Sequence, residues 1–515
     1  MTITRRRFLQ GAAALAAGVA LAPAGRLLAQ PRFSTSPYTL GIASGYPHAS
    51  GVTLWTRLAD DSAPGLQGAH VEVRWEVAHD EAFASIATRG AVISSPALAH
   101  SVHVDVTGLE PARPYWYRFL VGDAVSPAGR TRTAPPPNAE TARMRFAVAA
   151  CQQYEQGYFT AYRHMAREEL DLVVHLGDYI YESSWGRNHV RSHGSEVPIT
   201  LDQYRARYAL YKTDADLQAA HAAFPWIVTW DDHEVENDYA NDRSQTLDPR
   251  DAFLARRAAA YQAYYEHMPL PQWARPRGPD MRIYGSMAYG SLASFFVLDT
   301  RQYRSHQVCP RPGRGGGNVV REEDCPERLS ADLTFLGAEQ EAWLHESVAS
   351  SRTRWNIVAQ QTLMAPVDRR AGPGADYWTD GWDGYPKARE RLLAALAASR
   401  ATNPIVVSGD VHMAAVADLR SNFDSASSPV VATELVCPSI SSQGPTQKRV
   451  ELLLQENPHI KFANGARRGY TTVDLTPRRC VTRMRTITSE KEPDSQVRNL
   501  SIYAIENGRP GAQRV

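Results

Sequence analysis

Four apolar runs in this 515-residue sequence end on side chains able to hold a metal ion. RFAVAAC closes on Cys151, LDLVVHLGD on Asp178 with Tyr181 three residues further, PWIVTWDDHE on Asp231-Asp232-His233-Glu234, and NPIVVSGDVH on Asp410-Val411-His412. Any one of these endings is an ordinary strand cap or a small buried residue. Four together, at the end where an open α/β sheet presents its ligands, point to one shared site. Thiolate, phenolate and imidazole beside carboxylate suit a trivalent, charge-accepting iron, and a His–Cys pair also suits Zn(2+). Carboxylates alone make a hard, oxygen-rich site that fits Ca(2+), Mg(2+) or Mn(2+) better.

The elements that must position these groups follow from periodicity. Between residues 144 and 490, short continuous apolar runs, the pattern of buried strands, recur with helical stretches such as SADLTFLGAEQEAWLHESVASS and KARERLLAALAAS between them. This predicts an α/β domain over 144–490, closed by a hairpin at 470–488 and followed by an irregular tail at 491–515. Residues 36–136 instead carry β-like runs between turn signals (VTLWTRL, HVEVRWEVA, HSVHVDVTGL, YWYRFLV), which predict an all-β domain ending in the Pro135-Pro136-Pro137-Asn138 linker. Gly108-Leu109-Glu110-Pro111 before Tyr115-Trp116-Tyr117 resembles the late corner of a fibronectin- or Ig-like sandwich. No chemistry clusters there, so that domain is expected to support the other.

Composition excludes several classes. With 43% hydrophobic and 22% charged residues this is ordinary globular protein, and the net charge of +1 offers no basic field for nucleic acid or anionic lipid. Thr4-Arg5-Arg6-Arg7-Phe8-Leu9 and the Ala-rich run after it resemble a twin-arginine export signal, with cleavage expected after Ala29. Without Arg5, Arg6, Arg7 and Arg26 the balance falls by four, to −3. The partners expected are the twin-arginine translocation machinery and a small substrate, with a periplasmic or extracellular destination and no stable nucleic-acid or membrane partner. Among five cysteines, Cys309 and Cys325 bracket a Gly-rich insertion and are expected to pair, Cys437 and Cys480 form a second candidate pair, and Cys151 is left over.

The order G-D-x-x-Y, D-H-E, G-D-x-H resembles the calcineurin-like and purple acid phosphatase metallophosphoesterases. The fuller wording is similar to the alkaline phosphatase D (PhoD-like) family: Ala150-Cys151-Gln152, Gly177-Asp178-Tyr179-Ile180-Tyr181-Glu182, Trp230-Asp231-Asp232-His233-Glu234 with Asn237-Asp238-Tyr239, Asp299-Thr300-Arg301 and Ser408-Gly409-Asp410-Val411-His412. The resemblance implies a four-layer αββα sandwich behind the N-terminal β domain, and hydrolysis of phosphate esters at a multinuclear site. It implies that Asp178 bridges two ions, with Cys151, Tyr181 and His412 completing the first and Asp232 and Asp410 the second. It favours Fe(3+) and Ca(2+). Asn stands at the Asp232 position, His at the Asp410 position and a carboxylate at the Cys151 position in the purple acid phosphatases, so that family's metals do not simply carry across.

His233 is then placed to donate to the leaving oxygen or hydrogen-bond the phosphate, Asn237 to touch the phosphate or a further Ca(2+), and Arg301 to act as a phosphate fork or an ion-pair partner of Asp299 or another core-edge acid. His175, mid-strand, and Tyr204, Tyr208, Tyr211, Tyr261, Tyr264 and Tyr265, at helical spacing, read as packing. Trp378, Trp382 and Tyr385 are candidate pocket walls. Monoester against diester preference, including a phospholipase D-like one, stays open. The alternatives are a non-catalytic binding protein, which the intact ligand set disfavours, and an exported redox enzyme, which the lack of haem or Fe–S cysteine patterns disfavours.

Overall fold

The structure, a computed structural model, describes residues 32–515 except 60–65, 67, 400 and 426. The export signal and its cleavage site lie outside the described residues. Strand order is set by the fully apolar runs. Leu172–His175, Pro225–Val228 and Trp355–Ala359 are buried at every position, as strands covered on both faces must be.

Two sheets carry the α/β part. In the larger, Met144–Ala149, Leu172–His175 and Pro225–Val228 run parallel, and Gly469–Leu475 pairs antiparallel with the first of them. In the smaller, Ala293–Val297, Trp355–Ala359, Pro404–Ser408 and Val430–Val436 run parallel. Their inner faces share one core, with Phe146, Val174 and Ile227 against Phe295, Ile357 and Val407, and Phe146 meeting Phe295 edge to face at 5.0 Å.

The outer face of the larger sheet packs Val173, Trp226 and Val228 against tyrosines of Leu201–Lys212 and Arg250–His267. All six tyrosines read as packing are buried there. The outer face of the smaller sheet packs Val358 and Val406 against Leu344 and Val348 of Ala338–Ser350 and Leu392 and Leu396 of Pro386–Ala398. The layers are helix, sheet, sheet, helix.

The N-terminal strands are not set apart from this arrangement. Ile42–His48 pairs parallel with Pro225–Val228, and Gly51–Arg57 and Ser101–Val106 follow it, so three of them lengthen the large sheet to ten strands. A five-stranded sheet built on Val71–Ala78 and Pro114–Val121 covers them through a shared core of Leu54, Val73, Val104, Tyr117 and Phe119. The linker therefore separates two sequence patterns without breaking the sheet.

Two expectations are corrected. The segment 491–515 is not irregular: Val497–Glu506 and Arg509–Arg514 form a hairpin on the edge of the large sheet, sending Tyr503, Ile505 and Ala512 into the inter-sheet core. Cys437 and Cys480 are buried free thiols. Cys437 directly follows Val430–Val436, at the strand ends that carry the site, whereas Cys480 pairs with Leu475, whose other neighbour Met144 begins its strand at the opposite end. Cys309 and Cys325 are bonded, with Cα atoms 6.1 Å apart.

Candidate metal centre

The parallel strands of both sheets end on one rim. Cys151 N–H donates to the Gly177 carbonyl at 3.1 Å and Gln152 N–H to that of Asp178 at 3.0 Å, tying two strand ends together. A Cβ on Gly177, at φ +108°, would lie 2.4 Å from the Asp231 nitrogen, so only glycine lets the third strand end approach. Glu234 holds the two turns: its Oε1 accepts from Tyr179 N–H at 2.7 Å, and its Oε2 from Asp178 N–H at 3.1 Å and Asp231 N–H at 2.9 Å. Burial and the Asp178 carboxylate push Glu234 up to about 8 against those three donors.

Cys151, Asp178, Asp410 and His412 all take left-handed backbone, at φ 60°, 56°, 60° and 53°. Each costs about 1 kcal/mol or more, and non-glycine residues held so cluster at functional sites.

Single ligand atoms of Cys151, Asp178 and His412 lie within 4.8 Å of one another, as do those of Asp178, Asp232 and His233. Tyr181 Oη donates to Asp178 Oδ2 at 2.7 Å and meets His412 Nε2 at 3.0 Å. His412 Nδ1 faces the Gln443 carbonyl at 2.9 Å, which assigns its proton and turns Nε2 toward Asp178, 3.9 Å away. Asp410 lines the same cavity of about 620 Å³ as Asp178, Asp232, His233, Asn237 and His412, though outside both tight groups.

Burial and neighbouring acids push Cys151, Tyr181, Asp231 and Asp410 well above their ordinary values. Asp232 moves the other way, to about 2, because Arg301 and His233 outweigh its burial. Oδ1 of Asp178 and Oδ1 of Asp232 are buried without a hydrogen-bond partner. So many acids, with a carboxylate oxygen of Asp178 left without a partner beside a thiol and a phenol, fit cations, whose positive charge favours the ionised form of each ligand.

His233 Nδ1 meets Glu182 Oε2 at 2.6 Å, and Glu182 Oε1 accepts the Asn237 N–H at 3.0 Å. Burial alone would strip the His233 proton, but Glu182, Asp232 and Asp178 hold its affinity well above the ordinary value. Arg301 does not reach the cavity. It is 0% exposed, ion-paired to Asp231 and bonded to Asp380 at 2.9 and 3.1 Å, with Asp232 3.5 Å away. Of the two readings for Arg301, the arrangement fits the ion-pair one rather than the phosphate fork: the guanidinium is sealed behind Asp231, Asp232 and Asp380. His175 is buried in the core, as read from its mid-strand place. Trp378 lines the cavity, while Trp382 and Tyr385 are buried beneath it.

The sequence reading missed a third acidic group: carboxylate atoms of Asp232, Asp238 and Asp380 also lie within 4.8 Å of one another. Asp238 stood in the quoted Asn-Asp-Tyr wording, but Asp380 sits in an aromatic loop where only the rings had drawn notice. The roles of Glu182 and Glu234 were missed as well, although both lay inside quoted motifs.

The chain was compared with known proteins. A family model described as PhoD-like phosphatase matches residues 146–484, and one described as PhoD-like phosphatase, N-terminal domain matches residues 21–135. Alkaline phosphatase D of Bacillus subtilis (strain 168) is 45% identical over 532 aligned positions, covering 100% of this chain and 89% of the relative. A solved structure titled "Structure of PhoD" superposes with a TM-score of 0.88 at 45% identity, over 94% of this chain and 93% of that one.

Proposed function

The chain belongs to the PhoD-like phosphatase family, which are phosphoric ester hydrolases, and from that premise we propose an exported enzyme that hydrolyses phosphate mono- or diesters at an Fe(3+)/Ca(2+)-type centre. The observation that carries this reading is the convergence of Cys151, Asp178, Tyr181 and His412 from three strand ends onto one spot. These four would hold the softer, trivalent ion. Asp178, Asp232 and Asp410 would hold the harder one, and the group of Asp232, Asp238 and Asp380 supports a further hard cation. Bound there, such ions supply a low-pKa water and neutralise charge on the phosphoryl oxygens.

The chain's own residues do the rest. His233 keeps a proton at the cavity wall and delivers it to the leaving oxygen. Glu182 holds the imidazole by Nδ1, leaving Nε2 as the donor to the substrate. Asn237 lines the cavity and offers its amide to the phosphoryl group. Arg301 favours the ionised form of Asp380 and holds Asp231 in place. Zn(2+), Mg(2+) or Mn(2+) at either position would leave these roles unchanged.

The layer order supports a calcineurin-like αββα domain at 144–490, with residues 36–136 as an N-terminal support and 1–29 as a twin-arginine leader. Among the described residues no helix is long and apolar enough to cross a membrane. Elemental analysis of the purified protein beside phosphate release from p-nitrophenyl phosphate and its bis-ester tests the reading. Iron with calcium, and hydrolysis abolished by chelation, is the expected result. Hydrolysis indifferent to chelation would overturn it. The rate ratio of the two esters decides between monoesterase and diesterase.

A further inference from the structure

A second hollow of about 410 Å³ opens beside the metal-centre cavity and shares Trp185, Trp378, Asp410 and His412 with it. Its walls are about half apolar, with Leu363, Met413 and Leu453 among the apolar residues, and Arg369 and Arg449 also line it. Trp185 stacks on His412 at 5.5 Å and 8°, so one aromatic face forms the boundary between the two spaces.

Arg369, half-buried, is unlike the buried arginines near the site. Arg301 and Arg304 pair with Asp380, Arg389 with Asp383, and Arg468 donates to the carbonyls of His412 and Ser442. The Arg369 guanidinium has no hydrogen bond or ion pair among the described residues, its Nε is buried without a partner, and its carbon stands 5.9 Å from the Trp378 ring. The acid of its own loop, Asp376, faces Arg370 instead, at 4.0 Å. Burial lowers the proton affinity of Arg369 and outweighs the pull of Asp383 and Asp410, with Arg449 adding to the lowering. Arg449 too makes no ion pair among the described residues. A half-buried guanidinium whose Nε is sealed from water without an acceptor is costly, and a ligand that supplies the acceptor oxygens accounts for its retention.

We propose that this hollow is a specificity subsite for the non-reacting side of the substrate, where Arg369 and Arg449 bind a second oxoanion carried on an apolar body. The preferred esters would then bear a second phosphate or carboxylate beyond the scissile phosphoryl group. Planar guanidinium groups grip either oxoanion in bidentate fashion, and the apolar wall takes the carbon skeleton between the two charged ends.

This inference rests on the phosphoesterase reading, and the experiment separates the two. Phosphate release by the metal-replete enzyme is measured with phenyl phosphate, 4-carboxyphenyl phosphate and 1,4-phenylene bisphosphate, for wild type, Arg369→Met and Arg449→Met. The expected result is a wild-type kcat/KM higher for the two compounds that carry a second anionic end. Arg369→Met should lower their kcat/KM about tenfold more than that of phenyl phosphate, chiefly through KM. Arg449→Met, at an exposed position, should act the same way more weakly and covers the case in which Arg369→Met fails to fold. Whichever of carboxylate and phosphate gains more identifies the oxoanion. Equal wild-type kcat/KM on all three, or equal losses on all three in both variants, would overturn the subsite. A wild type active on none of them would overturn the esterase reading itself and the subsite with it.

Discussion

His233 Nδ1 and Glu182 Oε2 lie 2.6 Å apart inside the wall of the metal-centre cavity, and the same carboxylate takes the Asn237 N–H. One buried acid therefore holds both polar residues proposed to meet the phosphoryl group, His233 by its ring and Asn237 by its backbone. Replacing His233 by Asn removes the proton while leaving the Cys151, Asp178, Tyr181 and His412 set untouched. Turnover should fall about 10²-fold or more, with metal content by elemental analysis unchanged. Unchanged turnover would make His233 a packing residue.

The same pair predicts the pH profile. Burial lowers the proton affinity of His233, but Glu182, then Asp232 and Asp178, raise it well above the ordinary 6.5. The sign follows: the pair's contribution is complete below 6.5 and is lost as pH rises through the raised value, so the proton donor survives into the alkaline range. Glu182→Gln removes the largest upward push and should move the alkaline limb of kcat/KM to lower pH. A limb that stays in place would assign it to another group.

Tyr181 offers an optical test of the ion beside Cys151. If that ion is Fe(3+), the phenolate or thiolate gives a visible charge-transfer band in the purified protein. Tyr181→Phe should then abolish or shift a phenolate band while Cys151 still holds the ion. A colourless, fully active preparation containing only zinc would defeat the iron assignment.

Glu234 makes a stability prediction. Its two oxygens receive three backbone N–H groups from the turns carrying Asp178 and Asp231. Glu234→Gln turns an amide NH2 toward one of those buried donors, a loss of about 1–3 kcal/mol. Thermal unfolding should show the drop, and the metal content should fall with it because the turns hold the ligands.

Much of this was legible before any fold was drawn. Continuous apolar runs such as LDLVVH and PWIV can be little other than buried strands, and the abrupt polar ending of each marks the rim. Left-handed backbone at Cys151, Asp178 and His412 was not legible, because tertiary contacts impose it on residues that do not favour it. Asp380 comes from a loop without periodicity, and no spacing ties it to Asp232 and Asp238. Arg301 was legible as a partner of acids or of phosphate, and only its burial decided between them. The edge hairpin at the C-terminus escaped because VRNLSIYAIE mixes polar and apolar residues, and pairing partners are not written in a strand's own sequence.

The Cys309–Cys325 disulfide closes a Gly-rich loop whose inner edge reaches the third acidic group. Gly317 N–H donates to Asp238 Oδ2 at 3.0 Å, Gln245 Nε2 donates to the same oxygen at 3.1 Å, and Gly315 N–H ties the loop to the Gln245 carbonyl at 2.9 Å. Gly316 sits at φ +80°, where a Cβ would meet the Asp238 Cβ at 2.8 Å, so Gly316→Ala is strained and displaces Asp238. Burial, helped by Asp380 and Asp232, pushes Asp238 up to about 7, and a cation beside it would favour its ionised form. Gly316→Ala should therefore lower the content of the harder cation while leaving the visible band of the Cys151 side in place. Cys309→Ser, with the loop freed, should do the same more mildly and cost up to about 3 kcal/mol of stability. Elemental analysis with absorbance on one sample checks both. Equal loss of both kinds of ion would mean that the loop acts on the fold as a whole, and unchanged content of each would mean that it leaves the acids alone.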